Sequence, residues 1–203
     1  MTRLGLTRAG RTRAGLTCVR GFTLIELLIT LVIGGILMMT AVPALTTFKR
    51  NAELTSASNT LISSISAARG EAMKRGMNAM VVPSDGVNWS SGWLVFVDVN
   101  RNFTYNASDN TILSQNTIAS TLTVTGTNIA SGGTPYILFD ASGYSKTKAG
   151  GFTPVTLTIA RNDVSGTDVY SEMRRLKIAQ TGRVRTCKPA NASDTTCSAS
   201  VED

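Results

Sequence analysis

Histidine is absent from the 203 residues of the sequence. Because histidine is the commonest general base near neutral pH and the commonest metal ligand, its absence excludes Ser-His-Asp and Cys-His catalysis. Carboxylate, lysine and cysteine chemistry remain open, but Glu53, Glu71 and Lys74 fall on a predicted helix as ordinary surface charges. We therefore expect a protein that is not an enzyme and that carries no catalytic residue, no cofactor and no metal.

Acidic residues are absent before Gly21, and the five basic residues of that leader are Arg3, Arg8, Arg11, Arg13 and Arg20. The chain has 20 basic and 13 acidic residues, so its net charge of +7 falls to +2 without the leader (15 basic minus 13 acidic). The basic balance is therefore weak evidence for a nucleic-acid partner. The remaining composition is that of a folded chain, and its length suits one domain or one domain plus an appendage.

Charged residues are also absent from residues 27–48. This run of about 22 residues would form roughly 33 Å of helix, enough to cross a hydrocarbon core. It contains Gly34, Gly35 and Pro43, which weaken an isolated helix but are tolerated where neighbouring helices cover the backbone. We therefore predict a transmembrane or filament-core helix over residues 22–48.

Glu26 stands at the border of this apolar run, where a carboxylate is costly unless it is paired. It ends the stretch Gly21-Phe22-Thr23-Leu24-Ile25-Glu26, which follows the basic leader. This arrangement resembles the signal of type IV pilins and type II secretion pseudopilins. The resemblance implies that a prepilin peptidase removes residues 1–21 by cutting after Gly21 and that Phe22 is then N-methylated. It also implies that Glu26 and Pro43 serve filament assembly.

The chemistry of the cleaved chain agrees with that resemblance. The mature chain would carry an ammonium group at Phe22 and the Glu26 carboxylate one helical turn later. In a filament core, Glu26 can pair with the ammonium group of a neighbouring subunit, and the cost of an unpaired buried charge would then enforce register. The alternative is an ordinary secretory signal peptide cut near Pro43, although the long apolar run and the proline count against it.

Apolar residues recur at steps of three and four after Arg50, which predicts an amphipathic continuation of the helix over residues 49–76. Residues 77–203 predict a β-rich head, because β-leaning runs alternate there with Gly, Asn, Asp and Ser clusters and lack intervening helical patterns. The predicted helix stripe is Leu54, Ala57, Leu61, Ile65, Ala68 and Ala72. The predicted strands are 78–82, 92–99, 121–125, 136–139, 155–159 and 175–179.

Two head segments extend the resemblance. Residues 92–98, followed by Asn100, resemble a strand motif of the GspH/FimT class of minor pilins and pseudopilins, and residues 139–143 resemble its Phe-x-x-x-Gly turn. The resemblance implies an α+β, type IV pilin-like fold, with a long N-terminal helix packed against an antiparallel β-sheet head. Residues 103–118 and the tail after Lys188 match no motif.

The function that the resemblance implies is that of a minor pilin or pseudopilin which initiates or caps a type IV pilus or a type II secretion pseudopilus. Both machines use the same N-terminal signal, so the prediction covers either one. The implied location is the bacterial inner membrane, crossed once, with the head in the periplasm. The implied partners are the prepilin peptidase, the inner membrane, and other pilin or pseudopilin subunits contacted through the N-terminal helix.

The three cysteines are unevenly placed. Cys18 lies in the leader, whereas Cys187 and Cys197 lie in a short polar segment near the C-terminus. Loss of the leader therefore leaves an even number, and two nearby cysteines in an exported protein predict a disulfide. The alternative is a pair of free thiols.

A second cluster of basic residues lies near the C-terminus, where no acidic residue occurs between Met173 and Pro189. Residues 182–185, Gly-Arg-Val-Arg, resemble the C-terminal motif of FimT-type pilins that bind DNA during natural transformation. If Val184 points inward from a strand, its two flanking arginines share the outer face. The alternative is a solvated or subunit-contact face, because no aromatic residue is interleaved for base stacking. The candidate DNA-binding residues are Arg174, Arg175, Lys177, Arg183, Arg185 and Lys188.

Asp98, Asn100, Asn102 and Asp109 have the alternating spacing of a calcium-binding loop. Phe103, however, stands where such a loop needs glycine for its sharp turn, and aspartate at the last position is a weaker bidentate ligand than glutamate. A polar turn after a strand is therefore the favoured interpretation.

Overall fold

The computed structural model describes residues 21–200, without the side chains of residues 40 and 42–44. The chain forms two compact units, residues 1–45 and residues 46–203. A single helix, α1 (Leu24–Arg75), begins in the first unit and ends in the second. It ends at a Schellman-type cap, because Gly76 adopts a φ of 64° and the Met77 amide donates to the Ala72 carbonyl at 3.2 Å. The predicted continuous helix is confirmed.

The described part of the first unit, residues 21–45, is formed mainly by the apolar half of α1. Its leucines, isoleucines and valines whose side chains the structure describes are about half exposed or more, from 49% at Ile29 to 82% at Leu24. Among the described residues, no helix is both long and apolar enough to cross a membrane. The transmembrane helix predicted over residues 22–48 is therefore not shown. Pro43 lies on α1, but its side chain is outside the described part of the structure.

The second half of α1 carries the predicted apolar stripe. Leu54, Leu61, Ile65, Ala68 and Ala72 are fully buried, and Ala57 is half-buried against the same core. The helix also buries Ser64, whose hydroxyl accepts a hydrogen bond from the Trp93 indole at 2.8 Å. A buried indole N–H needs an acceptor, so this polar residue belongs to the core rather than to the surface.

Eight strands follow the helix and form two antiparallel sheets. Sheet A has the order β3-β2-β1-β5, and sheet B has the order β4-β6-β7-β8. Three short 3-10 turns, at Trp89–Ser91, Asn128–Ala130 and Gly166–Tyr170, lie in the connections. The strands are β1 (Ala79–Pro83), β2 (Trp93–Val97), β3 (Asn110–Gln115), β4 (Leu122–Gly126), β5 (Ile137–Phe139), β6 (Val155–Arg161), β7 (Met173–Ile178) and β8 (Val184–Cys187).

All six predicted strands are present and their pairing is antiparallel, as expected. Two strands, β3 and β8, were not among the predicted set. β3 is a sheet edge whose residues are exposed or half-buried, and β8 has only four residues. Short polar edge strands bury too little apolar surface to leave a clear alternating pattern in the sequence.

A buried arginine ties the end of β6 to the helix. The Arg161 guanidinium donates to both carboxylate oxygens of Asp163 at 2.8 Å and to Glu53 of α1 at 3.2 Å. These hydrogen bonds, with Asp163 contributing most, raise the pKa of Arg161, and the bonds from Arg161 lower the pKa of Asp163. The buried side chain is thus compensated by two carboxylates, which fixes this end of sheet B against α1.

Candidate functional site

The N-terminal motif sits at the first turn of α1. Thr23 precedes the helix, and its hydroxyl oxygen accepts a hydrogen bond from the Glu26 amide at 3.2 Å. The Thr23 carbonyl accepts the first helical bond from Leu27 at 3.1 Å. Thr23 is therefore the N-cap, and Thr23-x-x-Glu26 has the sequence of a capping box. Helical structure begins two residues after Phe22.

Two candidate processing residues lie just outside the helix. Gly21 and Phe22 are exposed and lie in backbone without regular secondary structure, and Phe22 is 80% exposed. Glu26 is exposed on the first turn and forms no ion pair with any other residue in the described range 21–200. An exposed junction before a capped helix suits proteolysis, and an unpaired carboxylate one turn later suits a partner supplied by another chain.

The basic motif near the C-terminus forms the tight turn between β7 and β8. The Gly182 amide donates to the Ala179 carbonyl, and the Ala179 amide donates to the Arg183 carbonyl, both at 2.9 Å. Gly182 adopts a φ of 76°. This pattern is a type I turn followed by a left-handed bulge residue, and glycine adopts that conformation without strain.

The predicted arrangement of the two motif arginines is present in the structure. Val184 packs against the main core, whereas Arg183 and Arg185 are exposed. Lys177 of β7 lies directly opposite Arg185 in the strand register and therefore shares its face of sheet B, but Lys177 is buried. Lys177, Arg183 and Arg185 line one groove together with Ala179 and Thr181.

Three other basic candidates are separate from this groove. Arg174 pairs with the core residue Ile159 in the register, and its guanidinium donates to the Ser171 and Met173 carbonyls. Arg175 is half-buried and donates to the Cys197 carbonyl. Lys188 is exposed after the end of β8. Of the six candidates, the groove therefore brings together only Lys177 and the two motif arginines.

The two C-terminal cysteines form the expected disulfide. Cys187 ends β8 and is bonded to Cys197, with their Cα atoms 5.8 Å apart. Asp194 organises the enclosed loop, because its carboxylate accepts hydrogen bonds from Thr196, Ala190 and Cys197. The Thr196 hydroxyl and these backbone amides lower the pKa of Asp194 to about 2.

A family comparison covers most of the chain. The sequence model of the family described as "Type II transport protein GspH" matches residues 57–182, which extend from the buried half of α1 to the glycine of the β7–β8 turn. A second model, described as "Prokaryotic N-terminal methylation motif", matches residues 16–42.

The chain belongs to the GspH family. As a GspH-family protein with an N-terminal methylation motif, it is a minor pilin or pseudopilin of a type IV pilus or type II secretion system. Proteins of this kind are structural subunits and not enzymes, as the lack of catalytic residues in the sequence predicted.

Solved structures show the same fold. The type IV minor pilin FimU of Pseudomonas aeruginosa matches in one crystal form with a TM-score of 0.50 and 23% identity, over 70% of this chain and 93% of FimU. A second crystal form of FimU matches with a TM-score of 0.52 and 20% identity, over 68% of this chain and 98% of FimU. The minor pseudopilin EpsH of Vibrio cholerae matches with a TM-score of 0.46 and 16% identity, over 67% of this chain and 97% of EpsH. No curated protein matches the sequence. The likeness to FimU supports the pilin-like α+β fold of this GspH-family chain.

The segment 98–109 of the GspH-family head, which has the alternating spacing of a calcium-binding loop, forms a network of polar turns. The Asp98 carboxylate accepts hydrogen bonds from the Asn102 and Phe103 amides, and the Asp109 carboxylate accepts from the Val99 and Asn106 amides. These acceptors are therefore occupied by the backbone of the loop. Among the described residues, no cluster of acidic or cysteine side chains could hold a metal ion.

Arg69 was missed by the sequence reasoning. It lies on α1 next to the buried stripe, and its guanidinium donates to the Gly143 carbonyl at 2.9 Å and to the Thr181 carbonyl at 3.1 Å. Arg69 thereby joins two segments that the sequence singled out separately, the Phe139–Gly143 turn and the Gly182-Arg183 turn. A cation one position after the apolar Ala68 was the only available signal, and nothing in the sequence pointed to its partners.

Proposed function

We propose that the chain is made with a leader, cut after Gly21 by a prepilin peptidase, and N-methylated on Phe22. The match of the methylation motif to residues 16–42 supports this, because the range includes the Gly21–Phe22 junction. In this proposal the protein is anchored in the inner membrane, its head lies in the periplasm, and it initiates or caps a type IV pilus or a type II secretion pseudopilus.

The observation that carries the proposal is the position of Glu26. Its carboxylate lies on the first turn of a capped helix, is exposed, and makes no ion pair within residues 21–200. Packing of this apolar helix among others would bury that charge, and a buried charge without a partner is strongly unfavourable. The N-terminal ammonium of an adjacent subunit, one turn from its own Glu26, supplies the partner and fixes the axial register.

The test replaces Glu26 with Ala or Val and measures incorporation into sheared or purified filaments. Both variants should insert into the membrane at wild-type levels and be missing from filaments, since only the filament requires the charge. Glu71→Ala is the control, because within residues 21–200 Glu71 pairs with Lys74 and Arg75 of its own helix and with no other residue. Normal incorporation of both Glu26 variants would contradict the proposal.

A second candidate function is DNA binding by the head, with the protein acting as a FimT-type minor pilin in DNA uptake. The observation that favours it is that Arg183 and Arg185 are exposed on one face and share a groove. Alternate residues of a strand are roughly 7 Å apart, similar to the spacing of adjacent phosphates on a strand. Such contacts are sequence-independent and salt-dependent, because each releases condensed counterions.

The test for this second function is a gel shift with increasing salt. Changing Arg183 and Arg185 together to Gln should weaken DNA binding similarly across sequences and flatten the slope of log affinity against log salt by about two units. Filament incorporation should remain normal in the same variant. Failure of the wild-type protein, with its disulfide intact, to bind DNA at low salt would assign these arginines to the solvated surface or to subunit contacts.

A further inference from the structure

Two tight turns meet at Arg69. One connects β5 to the following segment, where the Asp140 amide donates to the Tyr144 carbonyl at 3.1 Å and the Gly143 amide donates to the Asp140 carbonyl at 2.9 Å. The turn between β7 and β8 is of the same type. Both turns have glycine at the left-handed position, with φ of 79° at Gly143 and 76° at Gly182. The two turns touch through the Ser145 amide and the Gln180 carbonyl at 2.9 Å.

The packing of the two turns leaves no space for side chains. A Cβ atom on Gly182 would lie 1.9 Å from the Gly143 carbonyl oxygen and 2.6 Å from Arg69 Nε. A Cβ atom on Gly143 would lie 2.7 Å from the sulfur of Met73. Glycine at these two positions therefore allows both turns to approach the same stretch of α1 closely enough for one guanidinium to reach both backbones.

We propose that Arg69 is a positioning residue for Arg183 and Arg185. Its guanidinium bonds to Gly143 and Thr181 hold the β7–β8 turn against α1, and the motif arginines leave that turn on the outer face of sheet B. The inference rests on the second candidate function, in which these arginines contact the phosphates of a nucleic acid. Arg69 is half-buried and its Nε and Nη2 donate to carbonyls, so it acts through the turn rather than on the phosphate.

The geometry requires arginine rather than any cation. A guanidinium presents several N–H donors in a rigid plane and can bond two carbonyls at once, whereas an ammonium is a point charge on a flexible stem. Without the bridge, the β7–β8 turn loses its hydrogen bond to α1 and keeps its contact with the neighbouring turn, so it moves more freely between one contact with DNA and the next. Binding then includes the cost of ordering two long side chains and their turn.

The experiment uses full-length protein in detergent micelles and a salt-titrated gel shift with an oligonucleotide of mixed sequence. Arg69→Gln should weaken binding about tenfold while leaving the salt slope unchanged, because no phosphate contact is lost. Arg69→Lys should recover only part of the affinity, since it keeps the charge but not the two-carbonyl bridge. Lys74→Gln is the matched control: it removes one positive charge from the same helix, and it should leave affinity unchanged.

A flattening of the salt slope by about one unit in Arg69→Gln would overturn the proposal, because it would make Arg69 a phosphate contact. Full recovery by Arg69→Lys would overturn it as well. Hydrogen exchange at the Ala179 and Gly182 amides supplies a readout that does not need DNA: exchange should accelerate in Arg69→Gln and not in Lys74→Gln. Unchanged exchange overturns the bridge itself, whereas absence of DNA binding by the wild type overturns the DNA function.

Discussion

Replacing Gly182 with alanine tests the close packing of the β7–β8 turn. The added Cβ would lie 1.9 Å from the Gly143 carbonyl oxygen, which is backbone and cannot rotate away. The residue would also keep a φ of 76°, which costs an L-residue about 1 kcal/mol. The turn must therefore separate from its neighbour.

The loss of stability follows from the bonds that such a separation breaks. Arg69 donates one hydrogen bond to each of the two turns, and bonds to a charged, half-buried group contribute about 1 kcal/mol each or more. With the backbone strain, we expect a loss of about 3 kcal/mol in the free energy of unfolding. At a slope of about 2 kcal/mol per molar urea, the unfolding midpoint should fall by about 1.5 M.

Gly166→Ala is the matched control. Gly166 has a similar φ of 71°, but a Cβ atom there would meet nothing within 4 Å. This variant should therefore lose only the strain of about 1 kcal/mol and shift the urea midpoint by about 0.5 M. Equal midpoints for the two alanine variants would refute the reasoning, because the contact between the two turns would then carry no energy.

Two further predictions concern the C-terminal loop. The Cys187–Cys197 disulfide closes a loop with a sequence separation of 10, so its reduction should lower the free energy of unfolding by about 3 kcal/mol. Rapid alkylation of both thiols in unreduced protein would contradict the oxidised state. The pKa of Asp194 is lowered in the fold from 3.8 to about 2, so its contribution to stability is present above about pH 4 and is lost as the pH falls towards 2. Asp194→Asn should therefore flatten the acid side of a plot of urea midpoint against pH between 2 and 5, and an unchanged plot would exclude this role.

The elements that the sequence predicted correctly are those with strong hydrophobic periodicity. The stripe from Leu54 to Ala72 follows helical spacing over five turns, and every residue of it reaches the core. Strand β2 combines valines with aromatic residues, and β6 is rich in β-branched residues; both have clear boundaries. Periodicity of this kind is local information, so it can be read without knowing what packs against it.

The features that the sequence could not predict depend on contacts between distant segments. Arg69 meets Gly143 and Thr181, which are 74 and 112 residues further along the chain. The basic cluster was predicted as a set of six, but register places Arg174 on the core side and a loop carbonyl holds Arg175. Strand register and loop docking decided which cations share a surface, and neither is encoded in residue spacing.

The most direct test of the proposed function is the mass of the N-terminal peptide of the protein purified from membranes of cells that contain a prepilin peptidase. The account predicts a chain that begins at Phe22 and carries one methyl group on its amino nitrogen. Gly21→Arg should retain the leader and remain unmethylated. A mature chain beginning elsewhere, such as at Leu45, would contradict processing at Gly21 and with it the proposed pairing of Glu26 in a filament.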